Sequence, residues 1–472
     1  MQSRLVFLAS LLLLIVISRE GRGQTDSILS VQKFFESVAR YHPLVKQANL
    51  YQDAANMELL MNRGFFDPKL GIGFNRKAFE GKDYYNLFNP ELKIPTWPGI
   101  DLKAGFERNV GPFVSDEHKT PQTGLQYLGV SVPLGQGLVT DARRVVLNQA
   151  KVGLRLADAE RLKLINKILF GAAKDYWEWY FNAAQLRNAE LAFGLANERY
   201  RGVKQRVIVG DQAPIDSVEA RIFQQDREIF LQQSQIDEQN ARLQLSTYLW
   251  TEDQQPVDLL AGTKPDPQLP GILLSDSATQ AVVAEALVQH PELQKINFKI
   301  DQLELDRRLG REMLKPMLNV NYSWLSRTDN STWATQTIDR NYKFGFDFSF
   351  PLFLRKERGK LGLVKTKILQ AEMERTQLRR DIENGIRMSM NELQNLGRLI
   401  ALQEQMVLNY QKLRNGEVKK FENGESSLFL INSRESKLIE ALIKQAGFQS
   451  KYQKAKAALL FAAGKNPLLP AP

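Results

Sequence analysis

The side chains best suited to metal or acid–base chemistry in this 472-residue chain are three histidines, His42, His118 and His290. No HExxH-type spacing sets two imidazoles on one helix face around a metal. His42 and His290 each precede a proline, Pro43 and Pro291, and both read as helix starts with a structural role beside the cap. The run Gly129-Val-Ser-Val-Pro133 resembles the turn that exposes a nucleophilic serine. Pro133 replaces its second glycine, however, and no helix follows at once, so the run reads as the end of a strand. Gly135-Gln136-Gly137 alone is too little for a phosphate loop, and nothing of Walker type is present. With no cysteine, there is no thiolate site, disulfide or lipid-bearing cysteine behind a leader. The expectation is a chain with no catalytic residue, no metal and no cofactor, and so not an enzyme.

Function must then lie in the elements themselves. The first residues carry a basic start at Arg4, an apolar run from about Leu5 to Ile17 and small residues at Gly21 and Gly23. That run falls short of the ~20 residues a spanning helix needs, so 1–23 read as a cleaved signal peptide. No other segment approaches a membrane helix, and any embedding must come from strands. The formal net charge of +10 is spread along helices in which Arg375, Arg379 and Arg380 alternate with Asp381 and Glu383. This is a solvated face rather than a basic stripe, and it excludes nucleic acid as a partner.

The chain repeats itself. His42-Pro43 and His290-Pro291 each open an amphipathic helix that runs into a proline, Pro68 or Pro316, and both pairs of prolines are 248 residues apart. Alternating segments follow. Leu318, Val320, Tyr322 and Trp324 alternate with Asn319, Asn321 and Ser323, and Tyr342, Phe344, Phe346, Phe348 and Phe350 alternate with Lys343, Gly345, Asp347 and Ser349. One face is apolar and aromatic and the other polar or small, as in a membrane strand facing lipid on one side and a lumen on the other. The first repeat is a weaker copy, with strands at about 68–76 and 124–133, and its excess, roughly Tyr84 to Asn109, reads as an added hairpin or surface loop. A soluble antiparallel sheet is the competing reading.

Two long helices follow in each copy, about 138–209 and 214–250 in the first, and 354–422 and 426–463 in the second. They turn at Gly210-Asp211 and at Gly424-Glu425, and Pro214 and Ser426 are suited to starting the returning helices. About 70 helical residues span roughly 100 Å, which requires packing along the whole length. The expected organisation is a signal peptide 1–23, a first repeat 24–255, a proline-rich linker 256–275, a second repeat 276–464 with strands near 317–326 and 340–350, and a tail 465–472.

These residues resemble the TolC family of outer-membrane efflux proteins from about Val31 to Gly464. The resemblance is most specific at His290 to Tyr322, at the Val-Pro-Leu and Phe-Pro-Leu strand exits beginning at Val132 and Phe350, and at FENGESSLFLINSRESKLIEA around Gly424. It implies a mainly α chain with a membrane β-barrel, four strands per chain closing as a homotrimer into a 12-stranded barrel, continued by a periplasmic α-helical barrel. Four strands cannot close alone, and open edges are not tolerated in lipid, which independently requires assembly. The family's role is the channel-tunnel of a tripartite efflux or type I secretion system, with a periplasmic adaptor (membrane fusion) protein, an inner-membrane pump and outer-membrane lipid as partners. Carried over, the tip residues Gly210, Asp211, Asp216, Glu219, Gly424, Glu425, Ser426 and Ser427 face the adaptor and gate the channel. Val320, Tyr322, Trp324, Phe344, Phe346 and Phe348 face lipid. Leu430 and Ser433 stand where the family can carry second-tip acids, so part of an acidic ring at the mouth is missing. The rival from another class is an exported helical scaffold or adhesin without channel activity.

Overall fold

The computed structural model describes residues 28–260, 262–267, 276–328 and 341–466. The expected signal peptide lies outside them, as do 261 and 268–275 of the expected linker and 467–472 of the expected tail.

In chain order, β1 (Ile28–Leu29) leads into α1 (Val31–Tyr41) and α2 (Pro43–Arg63), followed by β2 (Lys69–Phe79), β3 (Lys82–Pro95), β4 (Asp101–Val110) and β5 (Leu125–Pro133). The long helices α3 (Ala142–Ile208) and α4 (Pro214–Ser246) complete the first repeat, and β6 (Lys264–Pro265) then pairs in parallel with β1. The second repeat holds α5 (Asp276–Gln289), α6 (Pro291–Glu312), β7 (Met317–Arg327), β8 (Tyr342–Ser349), α7 (Arg355–Glu422) and α8 (Leu428–Ala462). The duplication is visible in lengths. β2 and β7 have 11 residues each, α3 and α7 have 67 and 68, and α4 and α8 have 33 and 35.

The fold divides into two units. The sheet unit, Gln47–Lys163 with Glu285–Glu383, holds one antiparallel sheet in the order β2-β3-β4-β5-β7-β8. Among the described residues it has six strands, not the four that the resemblance implies. The segment read as a hairpin or surface loop is a hairpin, β3 and β4, inserted in full between β2 and β5. Pro90 sits inside the first of these strands and removes a ladder donor there. The β3–β4 pairing indeed skips Asn89 and Pro90, and the Asn89 Oδ1 atom instead accepts from the Arg108 amide at 3.3 Å.

In the helical unit, Met1–Lys46 with Leu164–Ala284 and Asn384–Pro472, the interior is aromatic. Leu169, Ala172, Tyr176 and Trp179 are fully buried at helical spacing along α3, with Phe34 and Val38 of α1 among the other fully buried residues. The polar tips of these aromatics find partners, as packing in a low dielectric demands. The Tyr176 hydroxyl donates to Leu29 O at 2.7 Å and Trp179 Nε1 to Glu238 at 3.1 Å, while the neighbouring Tyr248 hydroxyl donates to Asp175 at 3.0 Å. On α7 the buried face of this unit runs through Ile386, Met390, Leu393 and Leu396, and Gln403 extends it, its Nε2 atom donating to Ala441 O at 2.8 Å.

Both His-Pro pairs act as helix starts, each in its own unit. The His290 Nδ1 atom accepts from the Glu292 amide at 3.2 Å, with Pro291 in the first turn, and His42 Nδ1 accepts from the Leu44 amide at 3.2 Å. An accepting Nδ1 is unprotonated, and burial holds both imidazoles below their ordinary range by disfavouring the charged form. The stabilisation is therefore fully present above about pH 6.5 and is lost as the pH falls through and below it, because the unfolded chain takes up protons that the folded chain resists. Thermal unfolding is expected to fall in temperature between about pH 7 and pH 5.5. A His42→Asn/His290→Asn protein, which keeps a capping acceptor worth about 1 kcal/mol without the titration, should show a flatter profile. Equal slopes for the two proteins would refute the capping role.

Candidate functional site

The sheet has two chemically distinct faces. On β7 and β8 the pairings Leu318 with Phe348, Val320 with Phe346, Tyr322 with Phe344 and Trp324 with Tyr342 put the expected apolar residues on one face. Phe346 is 67% exposed, Phe344 58% and Phe348 63%, whereas Val320 and Tyr322 are half-buried beside their neighbours. This face continues across every strand, because Leu70, Leu92, Ala104, Leu128, Trp324 and Tyr342 are successive partners from β2 to β8. A second row, Ile94, Leu102, Val130, Tyr322 and Phe344, runs from β3 to β8. The inserted hairpin is therefore part of the same exposed apolar surface. Its alternation, Phe88, Leu92 and Ile94 and then Leu102, Ala104 and Phe106, stood in the sequence without being assigned to this face.

The opposite face is polar. Tyr127 lies across it above Gly105, where an added Cβ would come within 2.5 Å of the Tyr127 ring and hydroxyl, and its hydroxyl donates to Glu91 at 2.6 Å. The β3–β4 turn is fixed to the first turn of α3. Asp101 pairs with Arg143 at 2.9 Å and with Lys93 at 3.0 Å, and Arg144 Nη2 donates to Gly137 O at 2.5 Å. Trp97 packs on Phe66 at 5.5 Å, with the Lys151 ammonium 5.4 Å from its ring centre. Asp141 caps α3, accepting from the Arg144 amide at 2.8 Å.

In the helical unit the two hairpin tips are built alike. Gly210 and Gly424 adopt φ of +81° and +78°, and each is followed by a pair of closing bonds: Gly210 N to Val207 O with Asp211 N to Arg206 O, and Gly424 N to Phe421 O with Glu425 N to Lys420 O. This is the left-handed helix end that glycine permits. The returning helix of the first tip starts at Pro214 with Asp216 in its first turn. The second is capped by Ser427, whose hydroxyl accepts from the Leu430 amide at 3.4 Å. Ser426, expected as that cap, instead donates to Glu417 at 2.6 Å. The tips meet: Val203, Ala220 and Leu428 are buried together, with Tyr200, Val207 and Phe421 packed on them. Gly210, Gly424, Asp211 and Glu425 are exposed, and Asp216 and Glu219 are half-buried. Arg206 stands over the Phe421 ring and Arg221 over Tyr200, so acids and bases share this end.

Farther along the helices, Glu435 of α8 is buried between two guanidinium groups. Arg199 of α3 reaches it at 2.5 and 2.7 Å and Arg414 of α7 at 3.1 Å. The two guanidinium groups offset the glutamate, which alone would be a costly buried ion. Among the described residues no helix is long and apolar enough to cross a membrane, and no group of three or more acids and imidazoles is placed to hold a metal.

Two repeats that share one sheet with an apolar and a polar face, each continued by paired helices of this length, give a TolC-like fold. Over 92% of its length the chain superposes on the outer membrane channel CmeC of Campylobacter jejuni, with 14% identity, a TM-score of 0.63 and 85% of that chain covered. The open state of the MtrE outer membrane channel of Neisseria gonorrhoeae matches 92% of this chain and 88% of its own with a TM-score of 0.64 and 14% identity, and the outer membrane protein VceC of Vibrio cholerae matches 92% and 95% with 0.61 and 14%. No curated protein matches it by sequence. Within the second repeat, residues 282–465 match the family model described as outer membrane efflux protein.

Proposed function

We propose that the protein is the passive outer conduit of an export system, receiving solutes from an inner-membrane pump through a periplasmic adaptor and releasing them outside. The observation that carries this is a sheet whose exposed apolar face spans all six strands while its end strands, β2 and β8, each have a free edge among the described residues. In lipid a free edge is not tolerated, so copies of the chain must supply the missing neighbours. Three copies with six strands each give an eighteen-stranded barrel rather than a twelve-stranded one, a size that leaves an aqueous channel. The residues Val320, Tyr322, Trp324, Phe344, Phe346 and Phe348 then face lipid. The tips around Gly210 and Gly424 form the end that meets the adaptor, and their packing or splaying controls flow.

The helices add a second support. Along α4, Ile215, Ile222, Ile229, Ile236 and Leu243 recur every seventh residue and all are exposed in the single chain. Such a heptad stripe is a seam for another helix. Imaging the detergent-extracted protein tests the reading: a threefold particle with a tube longer than ~100 Å is expected from the helix lengths. A monomer that stays soluble without detergent would support an exported scaffold instead.

A further inference from the structure

On the polar face, Lys69, Lys93 and Lys103 are direct cross-strand partners on three adjacent strands, β2, β3 and β4, and the same row continues through Gly129 and Ser323 to Lys343. Like charges directly opposite one another destabilise a sheet, so folding alone gives no reason for three in succession. The row itself engages two acids of this face, Asp101 through Lys93 and Glu107 through Lys343, and the others are taken up by neighbouring polar groups. Glu91 accepts from Tyr127, Asp101 is held by Arg143 and Lys93, and Asp347 accepts from Asn321. Among the described residues Lys69 and Lys103 have no carboxylate partner.

This face is also the concave one. Lys343 of β8 comes within 3.6 Å of Glu107 on β4, although β5 and β7 lie between them. Lys343 is in register with Lys103, four residues along β4 from Glu107, so in a flat sheet three strand spacings of about 4.8 Å and four residues of about 3.4 Å would separate the two backbones by roughly 20 Å, beyond the reach of both side chains. The contact requires the polar face to curl inward.

We propose that the lysine row lines the lumen of the outer barrel and draws anions into it, suiting the conduit to cargo that bears carboxylate, sulfate or phosphate groups. The inserted hairpin supplies two of its three central lysines, which gives that hairpin a role in selectivity as well as in barrel width. Rings of lysine or arginine are how pores favour anions, and a low-dielectric wall focuses their field. The inference rests on the conduit reading above.

The chain has no cysteine, so a single thiol reports cleanly. Ser323→Cys places it on the lysine row, and the protein assembled in lipid is treated with methanethiosulfonate reagents, one bearing an anionic ethylsulfonate and one a cationic trimethylammonium. The ratio of anionic to cationic reaction rates should drop by about 10-fold when Lys69→Gln and Lys103→Gln are added. Lys69→Arg with Lys103→Arg should preserve it, and the preference should vanish near 1 M salt, where the screening length is about 3 Å. An unchanged ratio in the glutamine protein overturns the anion row and leaves the conduit standing. A protein that does not enter lipid at all overturns the conduit reading, and the lysine row with it.

Discussion

Replacing Phe346 with aspartate should abolish assembly in the outer membrane. The side chain is 67% exposed on the apolar face, opposite Val320 and flanked by Phe344 and Phe348, so nothing within the chain shields a charge placed there. A carboxylate on the lipid side of a barrel costs up to about 2 kcal/mol near the midplane, and in the proposed trimer three copies triple that. Its neighbour provides the control. Gly345 points to the polar face, and an added Cβ there meets nothing within 4 Å. Gly345→Asp should therefore assemble normally, because moving one position along a strand exchanges its faces. Heat-resistant trimer in outer-membrane fractions distinguishes the two. Equal trimer yields from both variants would show that the faces are not lipid and lumen.

The same alternation explains what the sequence made legible. Tyr342 to Phe350 is legible as a strand with one apolar face because five aromatics share that face, and the repeat offset between Pro43 and Pro291 reappears in the starts of β2 and β7, at Lys69 and Met317. Gly210 and Gly424 were legible as helix ends because only glycine enters the left-handed region without strain. The strand count was not. β3 carries the right alternation, but Pro90 breaks its ladder and Asn89 repairs the break with a side chain, a compensation that no local pattern announces. The second-tip cap was off by one residue, since Ser426 and Ser427 are equally good caps in sequence and only the geometry of the turn selects Ser427. The Arg199–Glu435–Arg414 cluster joins residues from three helices far apart in sequence, and nothing in the spacing of any one helix points to it. The lysine row was hidden for a similar reason. Lys69, Lys93 and Lys103 become neighbours only through the register of a hairpin whose place in the sheet was unknown.

Assembly should fail by a separate route when the α4 stripe is charged. Ile222 and Ile229 are 62% and 69% exposed, one heptad apart, so in the single chain they make few contacts that a substitution can remove. In a helical barrel they are buried against the adjacent copy, where each isoleucine contributes about 1.5–3 kcal/mol. Ile222→Asp with Ile229→Asp removes both contributions and puts two carboxylates into the seam of every interface, so the trimer should dissociate to monomers in mild detergent. Helical content by circular dichroism should change little, because α4 still packs on its own chain through Ala220, Gln224, Ser234, Ala241 and Leu245. The pairing of these two readouts matters. Loss of helix together with loss of trimer would mean that the stripe supports the fold of one chain. Retention of both would mean that copies do not meet along α4.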